Sequence, residues 1–302
     1  MEITTPLQIN ETEATEVEMH SFINLVTVIQ LQLVMLRETS PGNELEELIT
    51  LSEEFTRAIR SKSLEYLNDD FIDDLQSRVM DYLEKHYDLI GEEDADFHTE
   101  NFTNVFSVMF VRMAELKKRL NTPDNWEKIS ITDFKADFSK FFSAMENNSK
   151  GRYRIIRNIA EQEEQDYLVN FEIDSCHNGY ITMPLLLKDV VRDLVANARK
   201  YTAPGGTITL GVSQKPHELR IVVVDSGYGI PAEEIEKVVG FGYRATNVKD
   251  KVKTMGGGFG LTKAYHLTRT LGGRFWIESR ENEGTKITIH IPTPPVNGKT
   301  GV

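Results

Sequence analysis

Asp193-Leu-Val-Ala-Asn197-Ala-Arg-Lys200-Tyr201, Asp225-Ser-Gly227-Tyr-Gly229-Ile-Pro231 and Gly256-Gly-Gly258-Phe-Gly260-Leu261 follow one another in that order. A strand pattern closes the series, Glu283-Gly284-Thr285-Lys-Ile-Thr-Ile-His-Ile-Pro292. A lone glycine cluster carries little information. Three boxes in a fixed order carry far more, because each supplies a different part of one nucleotide site.

In the first box Asp193, Asn197 and Tyr201 fall at i, i+4 and i+8 of a helix, with Lys200 beside them, so they share one stripe. Leu186, Val190, Leu194 and Ala198 lie on a neighbouring face suited to packing on a sheet. Asn197 offers an amide oxygen to Mg²⁺, a hard cation that prefers oxygen. Lys200 can meet phosphate oxygens, and Asp193 can orient a water or a nucleophile near a γ-phosphate. Taken alone the stripe also reads as a solvated helix face; the other two boxes weigh against that. Val222-Val223-Val224-Asp225 reads as a buried strand ending in an acid whose carboxylate can accept from an adenine amino group. Gly227 and Gly229 let the backbone turn sharply and approach the base; an ordinary Asp-Ser-Gly turn is the bland alternative. Gly256 to Gly260 would bring backbone N–H groups to phosphates at the start of the next helix, where the dipole also favours anions. The Lys-Ser/Thr ending of a P-loop is missing, and a Lys-rich stretch rather than a strand precedes the glycines, so P-loop and Rossmann readings fit poorly.

The 302 residues are 40% hydrophobic and 27% charged, a globular mix with room for two domains. The formal charge of −13 opposes non-specific binding to nucleic acid and to anionic membranes. The single cysteine, Cys176, excludes an internal disulfide framework and suits a reducing compartment. Neighbouring His177 has no second ligand pair at metal spacing. No apolar run of ~18 residues stands out, so no spanning helix is expected. Met1 to Thr12 is polar and acidic, unlike a secretory signal. The expectation is a cytoplasmic protein without membrane insertion.

From Thr15 the chain reads as helical. Thr15-x-x-Glu18 has the form of a capping box, and Met19, Phe22, Val26, Ile29, Leu33 and Leu36 alternate in steps of 3 and 4, a heptad seam. Ser40-Pro41-Gly42-Asn43 breaks the helix. A second runs from Glu44 towards Leu67 with Leu45, Leu48, Phe55 and Ile59 inward. The pair forms an antiparallel hairpin that buries little alone, so two copies are expected to join in a dimeric four-helix bundle. Residues 70–90 and 100–120 read as further helices without a chemical motif, either packing elements or an acidic docking face. Asn121-Thr-Pro123-Asp124 reads as a boundary. Beyond it the pattern is α+β: a helix over 132–147, a strand over 167–173, a helix opened by Pro184 in its first turn, strands over 207–213 and 219–225, a helix from Gly260, and strands over 274–279 and 285–291. The expected fold is therefore multi-domain, with a hairpin at 13–68, an additional helical segment at 69–122 and an α/β sandwich at 125–293.

Residues 125–292 resemble the ATP-binding domain shared by sensor histidine kinases, DNA gyrase, the heat-shock chaperone ATPases and the MutL repair proteins. Asn197-Ala-Arg-Lys-Tyr201, Asp225-Ser-Gly-Tyr-Gly-Ile-Pro231, Gly260-Leu-Thr-Lys-Ala-Tyr-His-Leu267 and Leu271-Gly-Gly-Arg-Phe-Trp-Ile-Glu-Ser279 are most similar to the histidine-kinase branch. The resemblance implies ATP and Mg²⁺ as cofactors. It assigns nucleotide binding to Asn197, Lys200, Tyr201, Asp225, Gly227, Gly229, Gly256, Gly258, Gly260, Leu261 and Thr285, with Asn197 at the metal and Thr285 helping Asp225 at the adenine. It also implies a mobile lid from Arg244 to Met255. Two departures stand out. Asp193 occupies a position where histidine kinases usually carry Asn or Glu, and the usual Phe-x-x-Phe of the lid is replaced by Val239-Gly-Phe241-Gly242-Tyr243-Arg244.

In that family a hairpin before the ATPase carries the phosphorylated histidine. His20 is the one histidine of the hairpin and shares a polar stripe with Asn24 and Thr27. The family usually places Glu or Asp after the histidine; here Ser21 follows. Asn24 stands where the family carries Thr or Asn, a side chain thought to position the water that removes phosphate from the partner's aspartate. The catalytic candidates are thus His20, Asn24 and Asp193. The resemblance implies a homodimeric protein-histidine kinase of a two-component pathway that phosphorylates His20 and passes the group to an aspartate of a response-regulator receiver domain. Ser21 keeps open a regulator, phosphotransfer or phosphatase module without efficient self-phosphorylation. No sensor domain precedes His20 in this sequence, so a signal is expected from a separate sensor protein or through residues 69–122.

Overall fold

The heptad seam finds its cover inside the same chain. In the computed structural model, which describes residues 1–7, 9–40, 42–61, 69–121, 126–147, 149, 151–249 and 258–294, residues Ile9–Pro123 form one compact unit. The side chains of residues 11, 12, 14–16, 18, 20, 21, 112, 115–121 and 144 lie outside that description. The unit contains α1 (Glu11–Thr39), α2 (Asn43–Arg60), α3 (Asp69–Lys85), the single turn α4 (Tyr87–Ile90) and α5 (Glu92–Asn121). The capping box of α1 is Asn10 with Glu13, the Glu13 N–H donating to Asn10 Oδ1 at 2.9 Å and the Asn10 N–H to Glu13 Oε2 at 2.8 Å. The helix therefore starts one turn before the Thr15-x-x-Glu18 pattern.

Met19, Phe22, Val26, Ile29, Leu33 and Leu36 are all buried, as are Leu45, Leu48, Phe55 and Ile59 of α2. The other half of this core comes from Ile72, Leu75, Val79 and Tyr82 of α3 and from Phe102, Phe106, Met109 and Met113 of α5. This corrects the sequence expectation that the seam meets a second copy: α3 and α5 occupy the place reserved for it. The residues expected as a hairpin at 13–68 and those of the additional segment at 69–122 contribute to one core. The corner after α1 is fixed by the buried Tyr82 hydroxyl, which bonds Ser40 Oγ at 2.8 Å and donates to the Ser40 carbonyl.

The expectation of no spanning segment also needs amendment. Phe22–Thr39 of α1 is an 18-residue window of mean hydropathy 1.2, long and apolar enough by length and composition to cross a membrane. The window is 28% buried, and Val26, Ile29, Leu33 and Leu36 are its core side. Val28, Leu31, Val34 and Met35 are exposed.

The second unit joins Met1–Gln8 to Asp124–Val302. Its six-stranded sheet has the order β2-β3-β5-β6-β8-β7, from Ile155–Ile156, Tyr167–Ser175, Thr207–Lys215, Glu218–Asp225, Gly284–Pro292 and Arg274–Arg280. The β2-β3 and β3-β5 pairs are parallel and the rest antiparallel. A separate pair, β1 (Trp126–Ser130) with β4 (Tyr180–Pro184), is antiparallel. Helices α6 (Ile131–Asn147), α7 (Leu185–Lys200) and α8 (Gly260–Thr270) form the second layer. Phe134, Phe138, Leu187, Val190, Leu194, Ala264 and Tyr265 pack with the strand residues Val169, Ile208, Leu210, Ile221, Phe275 and Ile289. The expected α/β sandwich is present.

The first residues lie against the open edge of β7. The Ile3 N–H donates to the Phe275 carbonyl at 2.9 Å, and the Ile277 N–H donates to the Met1 carbonyl at 3.0 Å. Ile3 is fully buried, the Tyr265 hydroxyl donates to the Thr5 carbonyl at 2.7 Å, and Arg274 grips the Glu2 carboxylate with two nitrogens at 2.9 and 2.6 Å. An edge strand offers a row of unpaired backbone groups; here the chain satisfies some of them with its own residues.

Candidate nucleotide site

Pro184 precedes α7 as its N-cap, one position ahead of the expected first turn, with φ −63° already suited to helix. The helix buries Leu187, Val190, Val191, Leu194, Val195 and Ala198 on the sheet. That rotation leaves Asp193, Asn197 and Lys200 half-buried along one side. Asn197 and Tyr201 then line one wall of a cleft whose floor is Val223 and Asp225 of β6 with Thr285 and Ile287 of β8. Gly229, Ile230, Arg244, Ala245, Val248 and Leu261 complete it. Residues from all three boxes therefore meet around one cavity, mostly apolar at the sheet and polar at its ends.

Asp225 ends β6 beneath this cleft. Its Oδ1 accepts from the Gly227 N–H at 2.9 Å, and the Thr285 backbone also bonds its carboxylate. Burial pushes the carboxyl up to about 6 against those two bonds. A carboxylate this poorly solvated gains from a donor, and an amino group on a flat apolar base supplies one. Thr285 is held in turn by Ser279, the two hydroxyl oxygens lying 3.0 Å apart.

The glycines of the second box are required by close backbone packing. A Cβ on Gly227 would lie 2.2 Å from the Tyr201 carbonyl oxygen, and one on Gly229, at φ +64°, would lie 1.8 Å from the Arg280 carbonyl oxygen. Both positions press the Asp225 turn against neighbouring backbone, and Gly229 also lines the cleft. Gly260 opens α8 against Asn197: its Cβ would meet the Asn197 amide nitrogen at 2.5 Å. Gly258, at φ +79°, packs on the backbone of Gly242 and Tyr243. Gly256 lies outside the described residues.

Positive charge gathers at the polar end. Burial, with Arg244 and Arg199 nearby, pulls the Lys200 ammonium down to about 8. Its Nζ stands 5.2 Å from the centre of the Tyr201 ring. Like cations held together in a half-buried place favour an anion between them, and phosphate answers that need. Among the described residues no group of three His, Cys, Asp or Glu side chains gathers to hold a metal. An ion bound through Asn197 would draw its remaining oxygens from phosphate and water, as Mg²⁺ commonly does.

The stretch expected to act as a lid is partly built into the wall. Residues 246–248 form a 3-10 turn, Val248 is buried, and the Asn247 amide donates to the Tyr228 and Gly229 carbonyls at 3.2 and 3.0 Å. Glu234 receives the Thr246 N–H at 2.8 Å. Residues 250–255 of the expected lid lie outside the described residues. In place of the usual aromatic pair, Phe241 and Phe259 approach to 4.7 Å between ring centres.

Two roles escaped the sequence reading. Arg244 and Val248 read as lid but line the cleft. Lys263 reads as an ordinary residue of α8, yet its Nζ donates to Asp193 Oδ2 at 2.8 Å with the lysine side chain only 4% exposed. The remaining candidates belong to the helical unit. His20 and Asn24 are four residues apart on α1, and Asn24 is exposed; the side chain of His20 lies outside the described residues.

Residues 182–295 match the family described as histidine kinase-, DNA gyrase B- and HSP90-like ATPase. The chain carries a histidine kinase-type ATPase domain. The sensor histidine kinase WalK of Bacillus subtilis (strain 168) is 30% identical over 170 residues, 56% of this chain and 25% of that protein. The adaptive-response sensory kinase SasA of Parasynechococcus marenigrum (strain WH8102) is 35% identical over 107 residues, 35% of this chain and 27% of that one. The solved structure of a mycobacterial sensor histidine kinase, MprB, is 19% identical and covers 57% of this chain and all of its own, with a TM-score of 0.39. The chain thus spans about a quarter of the length of the curated relatives it matches. Over the ATPase domain the chain is thus similar to GHKL-type sensor histidine kinases.

Proposed function

We propose that the chain is an ATP-dependent protein-histidine kinase of a two-component pathway. It binds Mg-ATP in the cleft, transfers the γ-phosphoryl to His20, and hands it to an aspartate of a response-regulator receiver domain. The observation that carries the proposal is the convergence of Asn197, Asp225, Thr285 and Arg244 on one cleft, in a chain that also places a histidine on the long helix α1. Asp225 accepts from the adenine amino group and Thr285 supports it. Lys200 and Arg244 offset phosphate charge, and Asn197 supplies the protein ligand to Mg²⁺. Phosphoryl transfer needs little covalent chemistry from the protein beyond positioning and charge stabilisation. Neutral imidazole is the acceptor, and its proton must leave as the N–P bond forms.

That proton is the reason for a second reading. Ser21 follows His20 where an acid would take the proton, while Asn24, the phosphatase-type position, is exposed on α1. A phosphotransfer or phosphatase module that binds nucleotide without efficient self-phosphorylation fits that pair. Incubation with γ-labelled ATP beside His20→Ala decides between them. The kinase reading expects acid-labile, base-stable label that the substitution abolishes, appearing slowly and faster in Ser21→Glu. Undiminished label in His20→Ala places the acceptor elsewhere. ATP binding without label in either protein selects the second reading.

A further inference from the structure

A buried lysine stands behind the one acid of the helical stripe. Lys263 lies one turn into α8, with 4% of its side chain exposed, and donates to Asp193 Oδ2 at 2.8 Å. Asp193 is four residues before Asn197 on α7, about 6 Å along the helix. Lys263 holds the matching place on α8, one turn after Gly260, the residue that touches Asn197. The pair is thus the next layer between the two helices beyond the layer that meets the cleft. The Asp193 side chain is 35% exposed, so the carboxylate faces outward and the ammonium lies behind it.

An uncompensated carboxylate at that place would repel the outermost phosphate of a triphosphate, since like charges a few ångströms apart in a partly desolvated site oppose each other. A diphosphate ends sooner and is less affected. We propose that Lys263 is a positioning residue for the γ-phosphate end of the site. It fixes the orientation of Asp193 and cancels its charge, so that a nucleotide with a third phosphate is accepted beside the acid. This rests on the nucleotide reading of the cleft and adds to it the basis for discriminating triphosphate from diphosphate. The ammonium does not replace the carboxylate: Asp193 remains able to orient an attacking group while its charge is offset.

The test is a competition of Mg-ATP and Mg-ADP for the chain, read as the ratio of their dissociation constants. Lys263→Met leaves the carboxylate uncompensated and should weaken ATP about tenfold relative to ADP. Adding Asp193→Asn to Lys263→Met should restore the ratio to within about twofold of wild type. A bridge that merely ties α7 to α8 would change thermal stability and leave the ratio alone, so an unchanged ratio in Lys263→Met, or one the second substitution fails to restore, overturns the proposal. If Lys263→Met does not fold, Asp193→Asn alone serves: the unopposed ammonium should shift the ratio towards ATP, and an unchanged ratio again overturns it. Failure of the wild-type chain to bind either nucleotide would count against the cleft itself.

Discussion

The helical unit and the ATPase unit differ in what their sequence patterns could disclose. The ATPase boxes are short, rich in residues with specific chemistry, and spaced by strands and helices of ordinary length. Asp225, Asn197 and Thr285 each imply a contact from their residue type and place, and the structure sets all three around one cleft. The heptad seam of α1 is a different kind of signal. Steps of 3 and 4 state that Met19, Phe22, Val26, Ile29, Leu33 and Leu36 must be covered. They do not state by what. A second copy and the same chain's α3 and α5 satisfy the pattern equally well, and the structure shows the latter. Periodicity specifies burial; the identity of the partner is a matter of topology.

The strongest way to break this comparison is to remove side chains from the half of the bundle that α3 and α5 supply. Phe106→Ala should cost about 3–5 kcal/mol and Leu33→Ala about 2–5 kcal/mol, seen as a lowered denaturant midpoint of the helical unit. A hairpin covered mainly by another copy would feel Leu33→Ala and tolerate Phe106→Ala, so a silent Phe106→Ala would contradict the single-chain core.

A comparable effect is expected at the other unit's hidden seam. Ile3 is fully buried against the sheet edge, and Ile3→Ala should cost about 2–4 kcal/mol, lowering the melting temperature of the ATPase unit. A polar, loosely attached leader would leave that transition unmoved.

Asp225→Asn comes next. It exchanges an ionised acceptor for an amide in a buried contact, and Mg-ATP binding should weaken by about 1–3 kcal/mol, read by calorimetry. Equal affinity for both proteins would remove Asp225 from adenine recognition. The substitution should leave the melting of the helical unit unchanged, keeping the two regions separable.

The smallest effect is on the pH profile. Asp225 accepts only when ionised, and burial raises its carboxyl to about 6 in the free chain; a donor from the base favours the ionised form, so protons compete with nucleotide and affinity falls as pH drops below about 6. Lys200 contributes only when charged, and burial lowers its ammonium to about 8; phosphate favours the charged form, so affinity falls as pH rises above about 8, with proton uptake on binding there. A flat affinity from pH 5 to 9 would exclude both groups from the contact.

Much of the ATPase unit was legible because its strands and helices follow the 2.0 and 3.6 periods: the strands expected at 207–213 and 219–225 are found at Thr207–Lys215 and Glu218–Asp225. What escaped is long-range. The segment before α1 contains one strongly buried apolar residue, Ile3, too few for any pattern, and its partner at Phe275 is far away in the chain. Lys263 gave no signal because a lysine every few residues is normal on an exposed helix, and only the packing of α8 on α7 buries it. The crowding at Gly227 and Gly229 comes from the Tyr201 and Arg280 carbonyls, neighbours far from them in the sequence. The acid missing after His20 was plain from Ser21 alone, and it is what leaves the rate of self-phosphorylation to experiment.

The most direct test of the account is a calorimetric titration of Mg-ATP into the wild-type chain near pH 7, followed by displacement with Mg-ADP. The cleft lined by Asn197, Asp225 and Thr285 predicts saturable binding at one site per chain and full displacement by the diphosphate. A chain that takes up neither nucleotide at millimolar concentration would contradict the reading of these three boxes as one ATP site.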